Sequence, residues 1–288
     1  AIHPDDDEAR VGHILRSAGC RIVFVEDEQQ LDKVLAVRGE CPALGRIVIT
    51  DMKGLRDFTD AQSQSLDAFV ATGHGRSDGF EPATPDDPAL ILFPPEGIAG
   101  MGRVLTHSDV MHLVAGAQGQ LGLRAGDERL AVLRMADPTE RILGLYAALG
   151  AGTISNYLEN PETAVENLQQ LKPTVLGADA EAWERLHARI SGAAAAATSV
   201  QAALYRWAMN AARAGGPMAS LADLLVLRAV RRELGMTRLR LAYVGASPAP
   251  EVVAWAKALG IAIRQVTDPA EAADERYRTL LAGAMAGG

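Results

Sequence analysis

At 288 residues, 48% of them hydrophobic and 22% charged, the chain is long enough to bury a substantial core and too apolar to be a disordered tail. Its 28 Lys and Arg stand against 36 Asp and Glu, a net charge of −8 that excludes a broad nucleic-acid footprint. The longest apolar runs are short and interrupted, so no transmembrane segment is expected, and the opening AIHPDDDEAR is acidic where a signal peptide is basic.

In chain order, Asp5 to Asp7 can cap a helix that carries Val11, Ile14, Leu15 and Ala18 and ends at Gly19. Arg21 to Val25 is a short β-branched run that reads as a buried strand. A helix with Leu31, Val34 and Leu35 follows, then a strand over Arg46 to Thr50. Gly73 to Pro88 is rich in Gly, Pro and Asp and reads as a loop delivering the strand Ala89 to Phe93. Thr106 or Ser108 caps a helix with Val110, Val114 and Ala117, which stops near Gly122.

Beyond it the pattern alternates: strand Arg129 to Leu133, helix Ile142 to Leu149, strand Thr153 to Tyr157. A helix after Pro161 carries Val165, Leu168 and Leu171, strand Pro173 to Gly177 follows, and helix Glu181 to Ile190 buries Trp183, Leu186 and Ile190. Five consecutive alanines extend that helix or connect it to helices over Val200 to Arg213 and Leu221 to Leu234. Strand Arg238 to Val244, helix Glu251 to Leu259, strand Ile261 to Val266 and a last helix opening at Asp268-Pro269 complete the series. Such alternation predicts an α/β fold with a mainly parallel sheet flanked by helices.

The segment Leu92 to Gly102, LFPPEGIAGMG, lies between a strand and a helix, where a phosphate-binding loop is expected. A phosphate cradle needs backbone N–H groups, hydroxyl donors and a cation around the polyanion. Pro94 and Pro95 carry no N–H, Glu96 brings a carboxylate and Met101 brings no charge. A charge pair at about 4 Å is worth ~4 kcal/mol at an effective dielectric near 20, so this donor set disfavours a triphosphate by several kcal/mol. The same residues also read as a plain proline turn with Glu96 facing solvent, which equally leaves no clamp.

Four stretches carry a family resemblance: Gly19 to Asp27, Leu105 to His107, ERILGLYAALGAG at Glu140 to Gly152, and PTVLGADAEAWERLHARI at Pro173 to Ile190. They resemble the AMP-forming long-chain fatty acyl-CoA synthetases of the adenylate-forming class. The resemblance implies the central portion of that family's large lobe: a first α/β part over 1–72, a loop over 73–88, central βα units over 89–190, a helical insertion over 191–237 and a terminal βα part over 238–288. Laid over the family's YTSGTTGxPKG loop without a gap, Leu92 stands for the tyrosine, Pro94 for the serine, Glu96 and Gly97 for two threonines, and Met101 for the lysine. The scaffold is similar and the phosphate clamp is degenerate, so no catalytic residue is assigned.

Other family words are altered in the same direction. PLAHxFE becomes Arg134 to Glu140, with Asp137 in place of the histidine and Thr139 in place of the aromatic, though Asp137-Pro138-Thr139 reads foremost as a helix start. The turn resembling SGGAPLSPE survives in shortened form, with Gly245, Ala246 and Ser247 as candidate contacts to a planar ligand and equally an ordinary strand-to-helix connection. QGYGLTE is reduced to Gln265 and Glu271, and Glu271 is either a lone metal ligand or an exposed helical glutamate. His3, His13, His74, His107, His112 and His187 show no metal-binding spacing, and no GxSxG elbow is present. Cys20 and Cys41 have no CxxC partner or neighbouring histidine at ligand spacing, which points to thiols in a reducing compartment.

The expectation is therefore a cytoplasmic, acyl-CoA synthetase-like chain without the ATP motifs, acting as a non-catalytic binding or assembly subunit. No cofactor is expected. ATP and magnesium enter only under the alternative, an AMP-forming long-chain fatty acid–CoA ligase working with a partner or with altered nucleotide contacts. The expected partners are another protein chain or further copies of this one, with an acyl ligand possible. Compared with the family, the chain begins mid-domain and stops before the ribose-binding aspartate, the hinge and the mobile lobe.

Overall fold

The computed structural model describes residues 1–75, 79, 81–93, 102–158 and 160–266. The chain divides into two compact units, Ala1–Val110 and Met111–Gly288. Both are α/β with parallel pairing dominant, as the alternation of elements predicts.

In the first unit, helix α1 (Glu8–Ser17) starts where the Asp7 carboxylate accepts from the Arg10 N–H at 2.8 Å. It ends beside Gly19, whose φ of +59° is the left-handed conformation that stops a helix at low cost to glycine. Strand β1 (Ile22–Val25), helix α2 (Glu28–Val37, capped by Asp27), strands β2 (Arg46–Ile49) and β3 (Ser63–Ser65) and helix α3 (Leu66–Ala71) follow. The three strands pair in parallel in the order β1-β2-β3. Val11, Leu15, Leu31, Val34, Ile47 and Ile49 form the core of this unit.

One expectation changes here. β1 reads as a fully buried run, yet Ile22 and Phe24 are 44% and 56% exposed. The strand covers only one face, and Phe24 meets the edge of Phe69 instead, with ring centroids 5.7 Å apart.

Strands β4 (Pro88–Leu92) and β5 (Arg103–Thr106) pair antiparallel, with Leu92 opposite Arg103. Helix α4 (His107–Leu121) begins with a reciprocal cap: Asp109 N donates to Thr106 Oγ1 at 3.2 Å and Thr106 N donates to Asp109 Oδ2 at 3.0 Å. β3 and β5 are strands that the alternation of apolar residues did not single out, being three and four residues long.

The second unit holds β6 (Glu128–Ala131), α5 (Ala147–Ala151), β7 (Ile154–Tyr157), α6 (Ala164–Leu171) and β8 (Val175–Gly177). Then come α7 (Ala180–Ala196), α8 (Ser199–Ala214), α9 (Pro217–Ala222), α10 (Arg228–Glu233), β9 (Leu241–Val244), α11 (Pro250–Ala258) and β10 (Ile263–Gln265). Its five strands are parallel in the order β10-β9-β8-β6-β7. The alanine run is a helix extension, since α7 continues through Ala196.

Registers divide this sheet into two unlike faces. Leu130, Leu176, Ala242 and Val244 join Trp183, Leu186, Ile190 and Trp255 in a continuous apolar core. Each large side chain buried there contributes roughly 1.5–3 kcal/mol. The alternate residues, Arg129, Val175, Gly177, Leu241 and Tyr243, point the other way. Among the described residues no helix is long and apolar enough to cross a membrane.

Candidate functional site

In an open parallel sheet, ligands collect beyond the carboxyl ends of the strands, where the chain reverses the direction in which it adds strands. Here β7 lies on one side of β6, and β8, β9 and β10 follow on the other. The segments leaving those strand ends are Arg134 to Glu140 after β6 and Gly245 to Ser247 after β9, two of the altered stretches singled out by the family resemblance.

The first segment folds on itself. Thr139 N donates to Asp137 Oδ1 at 2.7 Å and Arg141 N donates to Asp137 O at 3.0 Å, so Asp137-Pro138-Thr139 is the helix start that its composition suggests. Arg141 donates through Nε and Nη2 to Met135 O at 3.2 and 3.0 Å. The helix that follows is not regular: Glu140–Tyr146 is a π-helical stretch before α5 takes over. Such a wide turn disturbs the regular spacing of side chains and backbone bonds.

A buried ion pair lies beneath it. Glu140 is fully buried, and Arg129 on β6, 1% exposed, donates through Nη2 to both of its carboxylate oxygens at 2.7 and 2.8 Å. Gly144 lies directly against the carboxylate, at a distance that leaves no room for a β-carbon. Burial lifts the Glu140 carboxyl above its ordinary range while the Arg129 charge pulls it back down. Tyr243 on β9 completes the group: burial pushes its phenol up to about 12, so it stays neutral. Arg129 Nε and Nη1 and the Tyr243 hydroxyl have no hydrogen-bond partner among the described residues.

This group anchors the β6 exit, and the β9 exit rests on the same place. A β-carbon on Gly245 would stand 3.2 Å from Thr139 Oγ1, so the two turns touch. Ser247 Oγ donates to Gln265 Oε1 at 2.8 Å, tying the β9 turn to the end of β10. Ala246 and Ser247 are exposed and Gly245 is half-buried. The structure thus brings together Asp137, Thr139, Gly245, Ser247 and Gln265.

Pro94, Glu96, Gly97 and Met101, Glu271 and the final helix lie outside the described residues. The strands flanking the altered loop are described, and they are tightly built. A β-carbon on Gly102 would stand 2.6 Å from Ile91 Cγ2 and from the Phe93 ring. Phe93 in turn meets His13 edge-on at 6.2 Å.

Sequence reasoning named the turns but missed Arg129 and Tyr243, which hold one of them. The available signal was an arginine inside the apolar run Leu130 to Leu133 that follows it, with an acid one short segment later. An unpaired charge in such a strand is too costly to bury.

The chemistry on offer among these turns is limited to hydroxyls, amides and backbone at the carboxyl ends of the strands. Among the described residues no group of three or more His, Cys, Asp or Glu is placed to hold a metal ion.

Comparison with known proteins places the chain in a family. The family model described as AMP-binding enzyme matches residues 1–272. The putative fatty-acid–CoA ligase fadD11 of Mycobacterium tuberculosis is 31% identical over 234 residues, covering 74% of this chain and 41% of its own length. The peroxisomal long chain acyl-CoA synthetase 6 of Arabidopsis thaliana is 28% identical over 262 residues, covering 86% of this chain and 36% of its own. The chain therefore spans about two fifths of the curated relatives it matches.

Among solved structures, the A domain of the carboxylic acid reductase from Segniliparus rugosus, in complex with AMP and a co-purified carboxylic acid, is similar with a TM-score of 0.67. It is 17% identical and covers 91% of this chain and 43% of that one. The N-terminal domain of FACL13 from Mycobacterium tuberculosis gives 0.61 at 13% identity, covering 92% of this chain and 55% of that one. At these identities the solved structures establish the fold.

Proposed function

Because the chain belongs to the AMP-binding enzyme family, the adenylate-forming proteins that include long-chain fatty-acid–CoA ligases, we propose that it keeps the family scaffold as a binding or assembly platform without the nucleotide clamp. The observation that carries this reading is a contrast. The buried Arg129–Glu140 pair and Tyr243 hold the strand-end turns in place, while Pro94, Glu96 and Met101 offer a triphosphate neither hydroxyl nor cation. The ligand left for such a platform is an acyl chain or an acyl-bearing molecule, and the partner is a protein chain, an active ligase being the natural one. Free Cys20 and Cys41 suit a reducing, cytoplasmic setting.

Isothermal titration of the chain with ATP and magnesium, and with a palmitoyl-adenylate analogue, tests the proposal. No heat with ATP is expected, and magnesium-dependent binding in the micromolar range overturns it.

The half-buried Gly245 beside Thr139 and the exposed Ala246 after it favour one second reading, an AMP-forming fatty acid–CoA ligase completed by a partner. That reading requires ATP–pyrophosphate exchange in the presence of a fatty acid, and Glu271→Ala should abolish it.

A further inference from the structure

Helices α7 and α8 follow one another through Ala197 and Thr198, and together with α11 they line an open cleft of about 280 Å³ in the second unit. None of its lining residues belongs to the strand-end turns. One wall is a stripe on α8: Arg206, Asn210 and Arg213 stand at i, i+4 and i+7, on one face of the helix. The two arginines are about 10 Å apart along the axis, within reach of one ligand for side chains of this length. The facing wall is His187 and Ser191, one turn apart on α7.

The floor is apolar and held rigidly. Trp255 is 1% exposed, its indole N–H donates to the Tyr205 hydroxyl at 3.1 Å, and its ring lies 5.2 Å from that of His187. Burial lifts the Tyr205 phenol above its ordinary range and keeps it neutral, although Trp255 and the Arg213 charge pull the other way.

Arg185, Arg189, Arg228, Arg231, Arg238 and Arg240 each contact a carboxylate. Arg206 and Arg213 have no ion pair among the described residues, and no carboxylate lines the cleft, in a chain of net charge −8. Two uncompensated guanidinium groups match a dianion, and the hydroxyl, amide and imidazole around them add further hydrogen-bonding groups. Tyr205 and His187, both half-buried above the buried Trp255 and Met209, offer aromatic surface to an apolar or aromatic body. The volume is at the small end for ligand sites, room for a phosphate and a ring or short chain.

From this arrangement we infer that the α7–α8–α11 cleft binds a phosphate monoester with an apolar or aromatic body. The phosphate lies between the Arg206 and Arg213 guanidinium groups, and the body lies against Tyr205 and His187. The source is either a soluble ester or the terminal phosphate of a lipid.

Titration of the whole chain with phenyl phosphate and with inorganic phosphate, alongside co-sedimentation with phosphatidylcholine vesicles with and without phosphatidic acid, tests this. Phenyl phosphate should bind more tightly than inorganic phosphate, and Arg206→Gln and Arg213→Gln should each weaken it about tenfold or more, as expected for losing a charge-assisted hydrogen bond. Arg185→Gln, on α7 outside the cleft, should leave it unchanged. Co-sedimentation that needs phosphatidic acid and both arginines assigns the lipid source, and binding of phenyl phosphate without it assigns the soluble one. Equal affinity for inorganic phosphate, insensitivity to both arginine substitutions, or no binding of either probe overturns the inference.

Discussion

Gly177 on β8 lies opposite Tyr243 on β9, so close under the phenol that a β-carbon at position 177 has no room. The glycine is required by this close approach, and the Tyr243 ring cannot retreat because it is 1% exposed. Gly177→Ala is therefore expected to lower stability by at least the 1–3 kcal/mol typical of overpacking, read as a lower urea midpoint. An unchanged midpoint would show that the ring has space to move.

The Arg129–Glu140 pair makes a sharper prediction because removing one partner strands a buried charge. Glu140→Met or Arg129→Met alone should each cost about 3–5 kcal/mol, whereas the double variant Arg129→Met/Glu140→Met should lose clearly less than the sum. Additive losses in chemical denaturation would mean that the two side chains do not act as a pair.

Asp127 contributes to the response to acid. It is 6% exposed, and although burial pushes its carboxyl upward, the Arg240 guanidinium, the Arg124 N–H and the Thr174 hydroxyl hold it below its usual range. A carboxyl with a depressed folded pKa contributes stability that is fully present above its unfolded value of about 3.9 and is lost as pH falls through the folded value. Asp127→Asn is expected to cost about 2 kcal/mol at neutral pH, with the gap to the native chain narrowing below about pH 4. A gap that stays constant between neutral and strongly acid pH would remove this carboxylate from the account.

Reversing the loop's chemistry tests the proposed function from the other side. Pro94→Ser, Glu96→Thr and Met101→Lys together restore two hydroxyls and a cation and remove a carboxylate. Magnesium-dependent ATP binding should then emerge, measurable by titration or as a ligand-dependent rise in melting temperature. If the triple variant binds ATP no better than the native chain, the loop's donors are not what separates this protein from nucleotide.

Much of the architecture was legible because its signals are local. Asp7, Asp27 and Asp179 cap the helices that follow them, and Gly19 and Gly122 end helices with φ of +59° and +57°. These effects act within one turn of chain, so reading neighbours suffices. The short strands β3 and β5 escaped because three or four residues are too few to establish a period. The exposed side of β1 escaped because a run of apolar residues states a preference for burial, not whether anything covers both faces.

By itself, the sequence determined the α/β alternation, the family and the chemistry of the altered loop, since each depends on which residues stand next to which. Only the tertiary structure decided that Arg129, Glu140 and Tyr243 meet, that the Glu140–Tyr146 turn widens into a π-helix beside them, and that Thr139 rests against Gly245. It also decided that Arg206 and Arg213 face a cleft without an acid. The physical reason is that a buried charge or an unpaired guanidinium takes its energy from what surrounds it in space, and that surrounding is assembled from distant parts of the chain.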